Sequence, residues 1–265
     1  MSYLGKEVRL KRLLNSKSGK LLAITVDHAI SRGIMDGLLD IKGKIDAIAQ
    51  GRPDSLTMHK GIAQSCFAPH AGTVSLILKC SSFSPYHFTS DVMTADPEEG
   101  VRLGADAVSI GVIVGGDYQA DQIRNLGRFT KEAEHYGMPV VAHIYPRGEQ
   151  IAPDQKYHWR NIAYAVRAGA ELGVDIIKTS YTGDPDSFHK VVESCPARVV
   201  IAGGDSCETP KDFLQMTKDV LDAGAAGVTY GRFVWEYPEP ARLIRAIAAI
   251  MHDGANVGQA LSLLD

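Results

Sequence analysis

Gly173-Val174-Asp175-Ile176-Ile177-Lys178-Thr179-Ser180-Tyr181-Thr182-Gly183-Asp184 opens on a glycine of the kind that stops a helix and ends in a polar, glycine-bearing turn. Between the two lies a short apolar run closed by a lysine. The run predicts a buried strand over Val174–Lys178, carrying Val174, Ile176 and Ile177, with Lys178 at its C-terminal end. A charged amine is costly to bury unpaired. Desolvation favours its neutral form, and a neutral lysine is a nucleophile that can form a Schiff base with a carbonyl. The structural alternative is a strand-end lysine that reaches solvent or pairs with a carboxylate.

Upstream, the alanine-rich stretch Asn161–Leu172 reads as a helix that Gly173 terminates. The same order of helix, glycine and apolar run recurs at Gly104-Ala105-Asp106-Ala107 and at Gly224-Ala225-Ala226-Gly227. Working outward, β-rich runs fall at Leu21–Val26, Asp54–Met58, Thr73–Leu78, Ala107–Gly111, Pro139–Ile144, Val174–Lys178, Arg198–Ala202 and Gly227–Tyr230. Most are apolar on consecutive positions, as parallel strands covered on both faces are. Helical periodicity fills several of the intervals: Asp121–Tyr136, Asn161–Leu172, Asp212–Ala223 and Pro240–His252. Eight strands alternating with helices predict an α/β fold, a (β/α)8 TIM barrel formed as a single domain over residues 1–265. The interval between Met58 and Thr73 leaves room for a short helix only. Arg9–Leu14 reads as a short amphipathic helix closing one end of the barrel.

The chain has 265 residues, 45% of them hydrophobic and 22% charged, and a net charge of -3. That balance gives no electrostatic case for nucleic acid or an anionic membrane as partner. Met1–Lys20 is polar and basic without a signal-peptide core, and no apolar stretch is long enough to span a membrane. The four cysteines, Cys66, Cys80, Cys195 and Cys207, form no CxxC pair and no disulfide framework, so a cytoplasmic setting is expected. Outer helices commonly carry barrel–barrel contacts, and a homo-oligomer is expected. Leu243–Met251 and Val257–Leu264 are apolar enough to serve either assembly or the core.

In a TIM barrel the chemistry sits at the C-terminal ends of the strands. There the sequence places Asp27-His28, His59-Lys60, Lys79, Tyr145-Pro146-Arg147-Gly148, Lys178-Thr179, Gly203-Gly204-Asp205-Ser206 and Gly231-Arg232. Asp27 can shuttle a proton or hold a substrate hydroxyl beside a nucleophilic lysine, or, with His28, simply cap its strand. Tyr145 can act as a proton donor or acceptor, or plug the strand end. Arg147 suits a phosphate or a loop-locking carboxylate pair. Gly203-Gly204 and Gly231-Arg232 follow the seventh and eighth strands, where barrels commonly bind phosphate through backbone N–H groups and a forked guanidinium. His28, His59, His70, His87 and His143, with Asp27, Asp91 and Asp106, show no metal-ligand spacing, so neither a metal nor another cofactor is expected.

These motifs resemble the archaeal-type class I aldolases, which include fructose-bisphosphate aldolases and 2-amino-3,7-dideoxy-threo-hept-6-ulosonate synthases and are related to the deoxyribose-phosphate aldolase superfamily. The resemblance runs from Leu21 to Trp235. It rests on Val26-Asp27-His28, Tyr145-Pro146-Arg147-Gly148, Ile177-Lys178-Thr179-Ser180-Tyr181-Thr182-Gly183-Asp184, Val200-Ile201-Ala202-Gly203-Gly204 and Gly231-Arg232-Phe233-Val234-Trp235. It implies that Lys178 forms the Schiff base, that Tyr145 is the acid/base residue, and that Asp27 assists proton transfer or contacts the substrate. It also implies that Gly203, Gly204, Gly231 and Arg232 hold a substrate phosphate; Ser206, Arg147 and His28, at the same strand ends, are further candidate substrate or phosphate contacts. Three departures bear on the substrate: Ala29-Ile30-Ser31-Arg32-Gly33 after the Asp-His pair, His143 two before the tyrosine, and Asp205-Ser206 where the family usually has a basic residue. The implied activity is a class I aldolase acting on a ketose phosphate or dihydroxyacetone phosphate. The alternatives are a biosynthetic synthase joining a sugar-phosphate fragment to an amino-acid semialdehyde, and a non-catalytic sugar-phosphate-binding barrel.

Overall fold

The computed structural model describes residues 3–203 and 207–264. Among them the chain forms ten strands: β1 (Leu21–Thr25), β2 (Ser55–His59), β3 (Ser75–Lys79), β4 (Ser81–Ser84), β5 (His87–Met93), β6 (Ala107–Val114), β7 (Val140–Pro146), β8 (Ile176–Thr179), β9 (Arg198–Ala202) and β10 (Gly227–Tyr230). Eight close into a parallel barrel in the order β1-β10-β9-β8-β7-β6-β3-β2, while β4 and β5 form an antiparallel hairpin outside it. The eight predicted runs are the eight barrel strands. The hairpin was not foreseen: β5 alternates irregularly and offers no apolar run to read.

The stretch around Lys178 shows how the barrel is built. Helix Trp159–Glu171 buries Ile162, Ala165, Val166 and Gly169 at helical spacing. Gly169 lies so close to the sheet that a Cβ there would stand 2.5 Å from Ile144 Cδ1. Gly173 then turns the chain with φ +82, a conformation side chains disfavour. Asp175 accepts from the Val140 N–H at 2.9 Å and pairs with Lys6 at 2.8 Å, fixing the entry to β8.

Successive side chains on a strand point to opposite faces, and the core divides accordingly. Leu22, Ile24, Leu56, Val108, Ile177 and Ile201 pack outward against the helices. Leu21, Ala23, Ile77, Ala107, Val141, Ile176 and Val200 face a separate cluster inside the barrel, closed from below by Leu13. Both faces are therefore apolar at the lower end, which is why the runs read as continuous. One step higher the inward positions become Thr25, Lys79, His143, Lys178 and Thr229, all buried. The polar site begins where this inner apolar layer ends.

Leu13 belongs to helix Leu4–Leu13, longer at its start than the sequence predicted. Arg9 caps this end through the Gly137 carbonyl at 3.0 Å. Leu13 is fully buried, so Leu13→Ala is expected to cost about 3 kcal/mol and to lower Tm by roughly 6–12 °C in calorimetry. A loss below about 1 kcal/mol would mean that the plug contributes little.

Helix Pro240–Asp253 spends Leu243, Ile244, Ile247 and Ile250 on the core, which settles that apolar stretch as packing within the chain. No helix among the described residues is long and apolar enough to cross a membrane.

Candidate active site

The C-terminal ends of the strands surround a cavity of about 920 Å³. Its wall is made by the inward positions above the apolar layer, among them Asp27, Gly111, His143, Tyr145, Lys178 and Gly231. His143 lies level with Lys178 across β7 and β8, and Gly111 lies level with His143 across β6 and β7. The Thr179 hydroxyl donates to the Ile144 carbonyl at 3.0 Å and ties β8 to β7 directly beside the lysine.

Lys178 is 7% exposed. Burial brings its amine down to about 8; Asp27 opposes that fall, while the like charges of Lys79 and Arg32 add to it. Roughly one amine in ten is then unprotonated at pH 7, against about one in 3,000 at the ordinary lysine value. Burial opposes ionisation of Asp27, yet His28, His143, Lys178 and Lys79 together hold its carboxyl well below the usual carboxylate range. Burial pushes the His143 imidazole well below its ordinary value, and Lys178 and Lys79 reinforce the shift.

His28 is lowered to about 4 by burial, opposed by Asp27 and reinforced by Lys178, Arg32 and Arg232. Its Nδ1 stands 3.6 Å from Asp27 Oδ1, and its ring meets Trp235 edge-on at 5.6 Å. The Trp235 indole donates to the Thr25 carbonyl at 3.2 Å, and Thr25 Oγ1 donates to the Tyr230 carbonyl at 3.3 Å across the β1–β10 seam. Gly231 keeps this corner open, because a Cβ there would come within 2.7 Å of His28 Cε1. Gly231 and Arg232 begin the short helix Arg232–Glu236, and with Gly203 they line the same cavity. Gly204 and Ser206, like the intervening Asp205, lie outside the described residues.

Arg147 lines the cavity. Its guanidinium lies 4.4 Å over the Phe83 ring and 5.1 Å from the centre of the Tyr145 ring, joining the hairpin to the end of β7. His59 and Lys60 do not line the cavity: Lys60 opens helix Lys60–Cys66 and pairs with Glu99 at 2.9 Å. Sequence reasoning placed Lys79 at the mouth without giving it a role, and weighed Asp91 only as a metal ligand. Lys79, at the end of an apolar run like Lys178, is buried in the same cavity and donates to Ser81 Oγ at 3.1 Å. Asp91 enters from β5 and lies over Gly111. Among the described residues no three His, Cys, Asp or Glu side chains converge as a metal site.

The profile of the DeoC/LacD family aldolases matches residues 21–237. The chain is similar to a 2-amino-3,7-dideoxy-D-threo-hept-6-ulosonate synthase of Halobacterium salinarum, with 38% identity over 99% of this chain and 97% of that one. It is also similar to a class 1 fructose-bisphosphate aldolase of the same organism, with 30% identity over 93% and 95% of the two chains. Among solved structures, an archaeal fructose 1,6-bisphosphate aldolase superposes with a TM-score of 0.85 and 29% identity, over 94% of this chain and 100% of that one. An archaeal aldolase whose catalytic lysine is covalently bound to the carbinolamine intermediate of its substrate also superposes with a TM-score of 0.85, at 28% identity over 94% and 99% of the two chains.

Proposed function

The chain belongs to the DeoC/LacD family of aldolases, and from that premise we propose that it is a class I aldolase whose Lys178 forms a Schiff base with a phosphorylated ketose. The observation that carries this reading is the lowered basicity of an amine that is buried yet opens onto the cavity.

The neutral Lys178 amine attacks the ketone carbon and gives a carbinolamine. Loss of water leaves an iminium, which accepts the electron pair when the adjacent C–C bond breaks. In cleavage Tyr145 takes the proton from the hydroxyl on the departing aldehyde carbon; in condensation it returns that proton to the new alkoxide. Asp27, already ionised, stabilises the positive charge of the iminium. The enamine left behind takes back a proton at carbon, the one Tyr145 removed from the hydroxyl, and so becomes an iminium again; water then adds to it and releases the ketone product and the free amine. Gly203, Gly231 and Arg232, with Gly204 and Ser206 proposed from sequence alone, receive the phosphate. His28 and Arg147 bound the space in which the sugar lies. A reducing, cytoplasmic setting accords with four cysteines that are all free thiols.

Two substrate readings share this intermediate. One is reversible cleavage of fructose 1,6-bisphosphate. The other is condensation of a sugar-phosphate fragment with an amino-acid semialdehyde, and it is favoured by the greater identity to the synthase, 38% against 30%. Side-by-side turnover with fructose 1,6-bisphosphate, and with aspartate semialdehyde plus a ketose phosphate, separates them. Faster condensation is the expected result, with activity unchanged by EDTA. Loss of all turnover on chelation would contradict the Schiff-base mechanism.

A further inference from the structure

We propose that Asp91 is a specificity-determining residue that receives a cationic group, an ammonium, on the acceptor aldehyde. The inference rests on the aldolase reading above and adds the chemistry of the second substrate.

Asp91 is 8% exposed and lines the cavity. Its Oδ1 is buried and has no hydrogen-bond partner in the protein. An unsatisfied buried carboxylate oxygen is costly, and a cationic donor is the partner that offsets the cost most fully. The cation at the end of the neighbouring strand, Lys79, donates to Ser81 Oγ at 3.1 Å, and the same oxygen accepts the Gly111 N–H at 2.7 Å.

The carboxylate is held in place by the fold. A Cβ on Gly111 would lie 2.1 Å from Asp91 Oδ2, so the acid fills the room that a side chain at 111 would take. The strand that carries it is fastened to the barrel by the buried Gln122, whose Oε1 accepts the Ile113 N–H at 2.7 Å and whose Nε2 donates to the Thr89 carbonyl at 2.7 Å. The Thr89 hydroxyl donates in turn to Glu149. The site is thus preformed, which favours recognition because little has to be ordered on binding.

Barrel order fixes which substrate meets it. From β8, the phosphate cradle of β9 and β10 lies on one side, and β7 and β6 lie on the other. A ketose bound to Lys178 with its phosphate over β9 and β10 turns its reacting carbon towards β7. The incoming aldehyde then lies over Tyr145 and reaches towards Gly111, two strands and roughly 10 Å from Lys178. An ammonium one carbon or two beyond the aldehyde falls within reach of Asp91.

The test compares aspartate semialdehyde with succinate semialdehyde, the same chain without the ammonium, using dihydroxyacetone phosphate as donor. The wild-type enzyme is expected to prefer the amino-bearing aldehyde by roughly 10- to 100-fold in kcat/KM. Asp91→Asn is expected to bring that ratio to about 1, while melting temperature and borohydride trapping of the donor at Lys178 are retained. Asp91→Ser repeats the comparison if the asparagine variant does not fold. A wild-type enzyme without preference, an unchanged ratio in the variants, or a parallel loss for both aldehydes would overturn the assignment of Asp91. Failure of the wild-type enzyme to trap any ketose would instead overturn the aldolase reading, so the two failures are told apart.

Discussion

Lys178→Met is expected to lower kcat/KM by about 10⁴-fold or more and to abolish any covalent adduct with a ketose phosphate. Methionine matches the length of the lysine stem and suits a position level with Val200 of the inner apolar layer, so the fold should persist. Removing the buried amine ends its desolvation cost but also takes from Asp27 one of the cations beside it, so the two effects oppose and Tm should change only modestly. Activity and stability therefore move apart, the signature of a group that reacts rather than one that packs. A variant retaining more than about a tenth of wild-type kcat/KM would contradict covalent catalysis, since non-covalent binding alone cannot replace the electron sink. A wild-type protein that binds sugar phosphates without turning them over, and a Lys178→Met variant that binds them equally, would point to a binding barrel instead.

The second large effect is at Tyr145. Tyr145→Phe keeps the ring stacked beside Arg147 and removes only the phenol oxygen. We expect kcat to fall by roughly 10²- to 10³-fold, while dihydroxyacetone phosphate is still trapped on Lys178. The split follows from the division of labour: the amine makes the imine, and the phenol moves the proton when the C–C bond forms or breaks. Single-turnover trapping alongside steady-state rates reads both steps. If trapping and turnover fall together, Tyr145 acts in imine formation, and the proton-transfer role passes to another group.

Much of this site could be read along the chain. The consecutive apolar runs mark strands buried on both faces, and the glycines that follow helices, such as Gly173, mark the connections. Once the barrel is inferred, the end of each strand becomes an address, and Asp27, Tyr145, Lys178, Gly203, Gly231 and Arg232 share one cavity. What sequence could not supply depends on contact between distant elements. The β4–β5 hairpin is held by polar contacts such as those of Gln122 on helix Gln119–His135, and leaves no hydrophobic pattern. Asp91 gains its meaning only from lying over Gly111. Arg147 finds Phe83 on the same hairpin, so its aromatic partner was equally hidden. His59 and Lys60 lie at a strand end, but a helix begins at once and carries Lys60 away to Glu99. The lowered basicity of Lys178 was expected from burial, whereas the share owed to Lys79 required the closed barrel.

The central claim is that Lys178 is the covalent centre. It is tested most directly by incubating the protein with dihydroxyacetone phosphate and borohydride and mapping the modified peptide by mass spectrometry. The expected result is one adduct, on Lys178, whose rate of formation rises with pH through about 8 as the amine loses its proton. No adduct, or an adduct on Lys79 in place of Lys178, would contradict the account.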